Sequence, residues 1–208
     1  MVTKKYDKII TLGSDCTIVE SHKKYGKIHS YPFDWNVSVD LSGVVDALHT
    51  DFKEYTKVYT RIIEEPKDLP DKETRINKYN IGFVHYDKIP LEEFEKIFNR
   101  RIERFRFAIE NNSVLFVRSE HVSYRLSKNN CNSSNIKNIE KLRKYIKFLN
   151  KNHGNRFHCV VIITCDGCRK KYNNVPSDEN ITIYNNKSKI NGNMSGIDVY
   201  DKIIKKYI

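Results

Sequence analysis

The stretch LEEFEKIFNRRIERFRFAIENNSVLFV, Leu91 to Val117, decides the fold. From Leu91 to Asn111 it places Phe94, Ile97, Phe98, Ile102, Phe105 and Ile109 at three- and four-residue spacing, which predicts one apolar face of a long helix. The arginines are assigned to its polar side. Val114-Leu115-Phe116-Val117 is then continuously apolar, as a strand covered on both faces must be. A helix that feeds such a strand is the repeating unit of a parallel sheet.

The same alternation extends in both directions. Cys159 to Ile163 and Ile181 to Ile183 read as strands, and Ile136 to Asn150 and Ile197 to Tyr207 as helices. Toward the N-terminus, Lys8 to Leu12 is a β-branched run that stops at Gly13. Ser14 or Asp15 then caps a helix carrying Ile18, Val19 and Tyr25 up to Gly26. Leu41 to Phe52 carries one apolar stripe, and Ile81 to Tyr86 reads as a strand. His29 to Trp35, with Pro32 and its aromatics, is an ordered loop in which Asp34 needs buried hydrogen bonds. Tyr55 to Asn80 has no clear period, although a strand or two fits Val58 to Ile63. The expectation is a single α/β domain over residues 1–208. It has a mostly parallel sheet with helices on both faces, a Rossmann-like three-layer arrangement, and mobile loops around 127–135 and 170–180.

Composition narrows the function. With 208 residues, 39% apolar and 30% charged, the chain is neither a disordered polymer nor a membrane-embedded one. A net charge of +11 attracts anionic partners. The positive charges are spread along the chain, Lys137 to Lys147 among them, without an RNA-recognition motif or zinc-finger spacing, so nucleic acid is not favoured as a partner. The absence of a signal-like apolar stretch and of any apolar run near 18 residues predicts an intracellular, cytoplasmic protein with no membrane partner. Its five cysteines are expected as free thiols. Abundant asparagine, lysine and isoleucine resemble the usage of AT-rich genomes, including those of large DNA viruses, where the location would be the host cytoplasm.

In an open parallel sheet, ligands bind beyond the carboxyl ends of the strands. That rule selects Gly13-Ser14-Asp15-Cys16, Arg118-Ser119-Glu120-His121 and Thr164-Cys165-Asp166-Gly167-Cys168. Cys16, in a helix's first turn, is the sharpest candidate, because the helix N-terminus favours thiolate. A thiol nucleophile needs a base. His85, at the end of a predicted strand, is the best placed histidine, and His121 the second. Ser14, Asp15, Trp35, Arg118, Glu120, His121 and Asp166 are expected to line the substrate cleft. Cys165 and Cys168 have no second pair to complete a zinc site, and Gly13 belongs to no dinucleotide or triphosphate motif, so neither metal nor cofactor is expected.

Ile9 to Cys16, Ser30-Tyr31-Pro32-Phe33-Asp34-Trp35, Phe83-Val84-His85, Arg100 to Phe105 and Val114 to Glu120 together resemble a family described as papain-like cysteine peptidases, found in bacteria and large DNA viruses. The resemblance implies Cys16 as nucleophile, His85 as base and an acid, Asp34 or Asp87, as orienter. It also implies mostly antiparallel strands behind the histidine, whereas the alternation of elements predicts parallel ones. Two functions follow. One is a thiol hydrolase acting on a peptide, isopeptide or thioester bond of a protein or peptide substrate. The other is a non-catalytic or transferase-like module that binds an anionic, phosphorylated small molecule at the strand ends. The sequence does not specify an oligomeric state.

Overall fold

The computed structural model describes residues 5–13, 17–23, 29–38, 41–63, 72–120, 134–163, 175–185 and 196–207. In chain order its elements are β1 (Lys8–Thr11), α1 (Thr17–Lys23), α2 (Leu41–His49), β2 (Val58–Ile63), β3 (Lys72–Asn77), α3 (Leu91–Asn111), β4 (Val114–Glu120), α4 (Ser134–His153), β5 (Phe157–Ile163), β6 (Ile181–Asn185) and α5 (Gly196–Ile204). β1, β4, β5 and β6 form one sheet in that spatial order. Every pair in it is parallel, with Ile10, Phe116, Cys159 and Ile181 in one row across all four strands. This is the mostly parallel α/β architecture that the alternation predicts, and the antiparallel frame implied by the papain-like resemblance is not what the main sheet adopts.

Side chains alternate across the sheet because consecutive Cβ atoms point to opposite faces. Ile10, Val114, Phe116, Cys159, Val161 and Ile181 join α2, α3 and α4 in the larger core. Leu115, Val117, Val160 and Ile162 meet Ile18 of α1 and Tyr200, Ile203 and Ile204 of α5 on the other face. The continuous apolar reading of these strands is therefore two interleaved stripes. Each fully buried aliphatic or aromatic side chain contributes about 1.5–3 kcal/mol.

Several boundaries differ from the sequence reading. Residues 81–86 are no strand. Gly82 makes bridges to Val37 and Ile76, and the chain then turns, with the Tyr86 amide donating to Phe83 O. The antiparallel hairpin lies earlier, in β2 and β3, where Val58 pairs with Asn77. α2 stops at His49 rather than Phe52, because Asp51 takes φ 48° and the Phe52 amide reaches back to Ala47 O at 2.8 Å, a left-handed cap without glycine. β4 continues through Glu120, so Arg118 and Ser119 belong to the strand and not to a loop after it. Of the two expected mobile loops, residues 127–133 and 170–174 lie outside the described residues, whereas Ser134 and Asn135 open α4.

Candidate functional site

The carboxyl end of β1 is where three chain segments converge. The Leu12 amide extends the ladder by donating to Val117 O at 2.8 Å, and Gly13 then turns the chain at φ +75°. A Cβ at Gly13 would stand 2.6 Å from Ser38 Oγ and 3.4 Å from the Arg118 guanidinium, so crowding as well as backbone conformation requires glycine. Arg118 is fully buried. It donates to Leu12 O at 2.9 Å, to Ser38 Oγ at 2.6 Å and to Ser38 O at 3.0 Å. One guanidinium thus ties β4, the end of β1 and the loop that carries Trp35.

That loop, residues 31–38, is built on Asp34. Its carboxylate is fully buried and accepts from the Tyr31 amide at 2.7 Å and from the Thr11 hydroxyl of β1. The expected buried hydrogen bonds are present, and they fasten the loop to β1. Asn36 Nδ2 and Tyr55 OH both donate to Pro32 O, at 2.6 and 2.9 Å. Burial pushes the Tyr55 phenol far above its ordinary pKa, so it stays a neutral donor. Held on both sides, Trp35 sits in the left-handed region at φ 65°, a costly conformation for a bulky L-residue.

Trp35 meets His85 edge to face, with ring centroids 6.2 Å apart and an interplanar angle of 81°. His85 is exposed on a turn rather than at a strand end. The residues beside these two rings are clamped by Arg101 of α3, which donates to Asp34 O at 3.1 Å and to Tyr86 OH. Its guanidinium also lies over the rings of Phe98 and Tyr86, at 4.7 and 5.2 Å. Not all the arginines of α3 lie on its polar side, since Arg101 is buried. The helical period could have shown it, because 101 falls in the apolar slot between Phe98 and Phe105.

Asp87, one of the two acids implied as orienter, accepts from the Arg75 amide at 3.0 Å through Oδ1. Glu120 closes β4 in register with Ile163. Ser14, Asp15, Cys16, His121, Cys165, Asp166 and Cys168 lie outside the described residues. Among the described residues the free cysteine is Cys159, buried in β5, where desolvation raises its thiol pKa and leaves it protonated and inert. Sequence reasoning missed Arg101, Ser38, Tyr55 and Tyr86 as parts of this region. Only Arg101 leaves a periodic signal.

The family described as "Putative papain-like cysteine peptidase (DUF1796)" matches residues 7–167, well over half of the chain, and the chain belongs to that family. No curated protein and no solved structure matches it. Among the described residues, no helix is long and apolar enough to cross a membrane.

Proposed function

We propose that the protein is a thiol hydrolase of protein or peptide substrates, with Cys16 as nucleophile and His85 as its base. The observation that carries this reading is the contact of His85 with Trp35. It sets the histidine against a loop that Thr11 and Asp34 fasten to the end of β1, two residues before Gly13 and five before Cys16 in the sequence. The family assignment supports the same chemistry.

In the proposed reaction the Cys16 thiolate attacks the scissile carbonyl carbon, and the His85 imidazolium protonates the departing amine. Water, deprotonated by His85, then releases the acyl group and restores the thiol. Both oxygens of Asp34 are engaged by Thr11 and Tyr31, so Asp87 is the better orienting acid. Its Oδ2 makes no hydrogen bond among the described residues. Arg118 is assigned a positioning role, since its donors are directed at Leu12 and Ser38. Ser14, Asp15, Trp35, Glu120, His121 and Asp166 are proposed to line the substrate cleft.

The test is competitive alkylation with iodoacetamide at neutral pH, read by peptide mass spectrometry. Cys16 should be modified first, and His85→Ala should slow it about tenfold or more, because an unassisted thiol with pKa about 8.5 is mostly protonated. Hydrolysis of an activated ester should disappear in Cys16→Ser. Alkylation of Cys16 at the rate of an ordinary exposed thiol, unchanged by His85→Ala, would overturn the assignment.

A further inference from the structure

The lysines of α4 form a face that the proposed hydrolase has no use for. Lys137, Lys141, Lys144, Phe148 and Lys151 follow one another at spacings of four, three, four and three residues, and all are exposed. At about 100° per residue they lie within about 40° of a single line some 21 Å long. Lys147 flanks that line, and Ile139, Leu142, Ile146 and Leu149 occupy the opposite, buried side. Glu140 is the one acid among these exposed residues, and it faces Arg143 at 3.3 Å. Lys141 stands 3.8 Å from Asp46. Among the described residues, Lys137, Lys144, Lys147 and Lys151 pair with no carboxylate.

Another helix on the same face of the sheet, α3, shows that this is not mere composition. The outer side of α3 mixes Glu92, Glu93, Glu103 and Glu110 with Lys96 and Arg100, and Lys96 pairs with Glu92 at 2.5 Å. α2, α3 and α4 cover the same face of the sheet. The basic stripe is bordered by exposed acids, Asp46 of α2 beside Lys141 at 56% and Asp178 beside Arg143 at 37% side-chain exposure. A flat anionic bilayer laid on α4 would also meet those acids. A single polyanionic strand along the stripe would meet an acid of α2 only at Lys141, beside Asp46.

Phe148, 60% exposed on the midline of the lysines, decides the class of strand. Cations that track a phosphate backbone, together with an aromatic face on which a base can stack, are the two components of single-strand nucleic-acid binding. We propose that the exposed face of α4 binds single-stranded nucleic acid, with Lys137, Lys141, Lys144, Lys147 and Lys151 on the phosphates and Phe148 stacked on a base. The site is independent of the hydrolase reading.

The experiment is fluorescence anisotropy of the full chain with a labelled oligothymidylate of about 12 nucleotides, alongside a duplex of equal length and flotation with phosphatidylserine vesicles. Binding to the single strand should weaken with salt at a log–log slope of about 2–3.5, the value for three to five neutralised phosphates. Lys144→Glu/Lys151→Glu should weaken it at least about tenfold, and Phe148→Ala about fivefold. Lys96→Glu on α3 should change it less than about twofold. All of these positions are exposed, so the variants should fold, which melting curves would check. The proposal is overturned by absence of binding at about 50 mM salt, by tighter binding to the duplex, by binding to vesicles but not oligonucleotide, or by an equal loss in Lys96→Glu.

Discussion

The two ends of the parallel sheet are closed in different ways. At the amino end, short polar side chains satisfy nearby backbone. Asp7 and Ser113 exchange hydrogen bonds between the starts of β1 and β4, and Asn150 accepts from the Phe157 amide at 2.8 Å while donating to Phe157 O at 2.9 Å. At the carboxyl end of β1, a guanidinium and a carboxylate are fully buried and hold the loop of residues 31–38 to the sheet, Arg118 bonding Ser38 and Asp34 bonding Thr11. The first arrangement finishes secondary structure. The second fixes Trp35 in a strained conformation against His85, at a higher cost per residue if any member is lost.

Arg118→Ala should expose that difference most sharply. It leaves a cavity and deprives Leu12 O and Ser38 of a buried donor, so unfolding stability should drop by about 3–5 kcal/mol, measured from urea midpoints. Ester hydrolysis should fall with it at temperatures where the variant is still folded. A loss below about 1 kcal/mol would mean that the carboxyl end is no more demanding than the other.

Two glycines give the same comparison with backbone alone. Gly13 and Gly154 both have positive φ, +75° and +81°, but a Cβ at Gly13 meets Ser38 Oγ at 2.6 Å whereas at Gly154 nothing lies within 4 Å. Gly154→Ala should cost only the left-handed penalty of about 1 kcal/mol. Gly13→Ala adds displacement of the arginine's serine partner and should cost about 2–3 kcal/mol, with reduced activity. Equal costs would show that Ser38 yields freely.

Asn150→Ala tests the amino end. It removes two hydrogen bonds to Phe157 and one to Asn180, so a loss of about 2 kcal/mol is expected with kcat/KM unchanged, because the change lies at the opposite end of the strands from the candidate site. A fall in kcat/KM without a fall in stability would instead couple the two ends.

The sheet was legible because its strands are buried on both faces and its helices carry unbroken apolar periods. Leu91–Asn111 agrees with the sequence reading at both ends. The region from Tyr55 to Tyr86 was not, for a physical reason. β2 exposes Tyr59 and Ile62, at 55% and 61%, while β3 buries Thr74 and Asn77, so hydrophobicity does not track burial there. Phe83, Val84 and His85 read as a strand from their residue types, but the ladder is limited to isolated bridges at Gly82, and Phe83 O accepts from the Tyr86 amide in a turn. Cys16, His85 and the aromatic loop could be nominated from residue type and family resemblance. Arg118 could be nominated as a site residue but not as a clamp, since a buried arginine looks like a surface one until its strand face is known, and for Arg101 the one signal is its helix slot between Phe98 and Phe105.

The smallest expected effect concerns Asp7, and it is the one that pH can isolate. The Ser113 amide and hydroxyl both donate to its carboxylate at 2.8 Å and hold its pKa below the ordinary value, the backbone bond being the larger cause. A carboxyl group whose pKa is depressed on folding stabilises the folded state above its unfolded pKa, about 4, and that contribution is lost as pH falls through the folded value. Because the group is exposed, solvent screening limits the effect to a few tenths of a kcal/mol. Asp7→Asn should therefore lower stability slightly at pH 7, and the gap to wild type should close progressively below about pH 4. It should also shrink in high salt, whereas the loss in Arg118→Ala, arising from buried hydrogen bonds, should persist at both extremes. A gap that stays constant from neutral to acid pH would show that the Asp7–Ser113 exchange acts through hydrogen-bond geometry alone and not through the carboxylate charge.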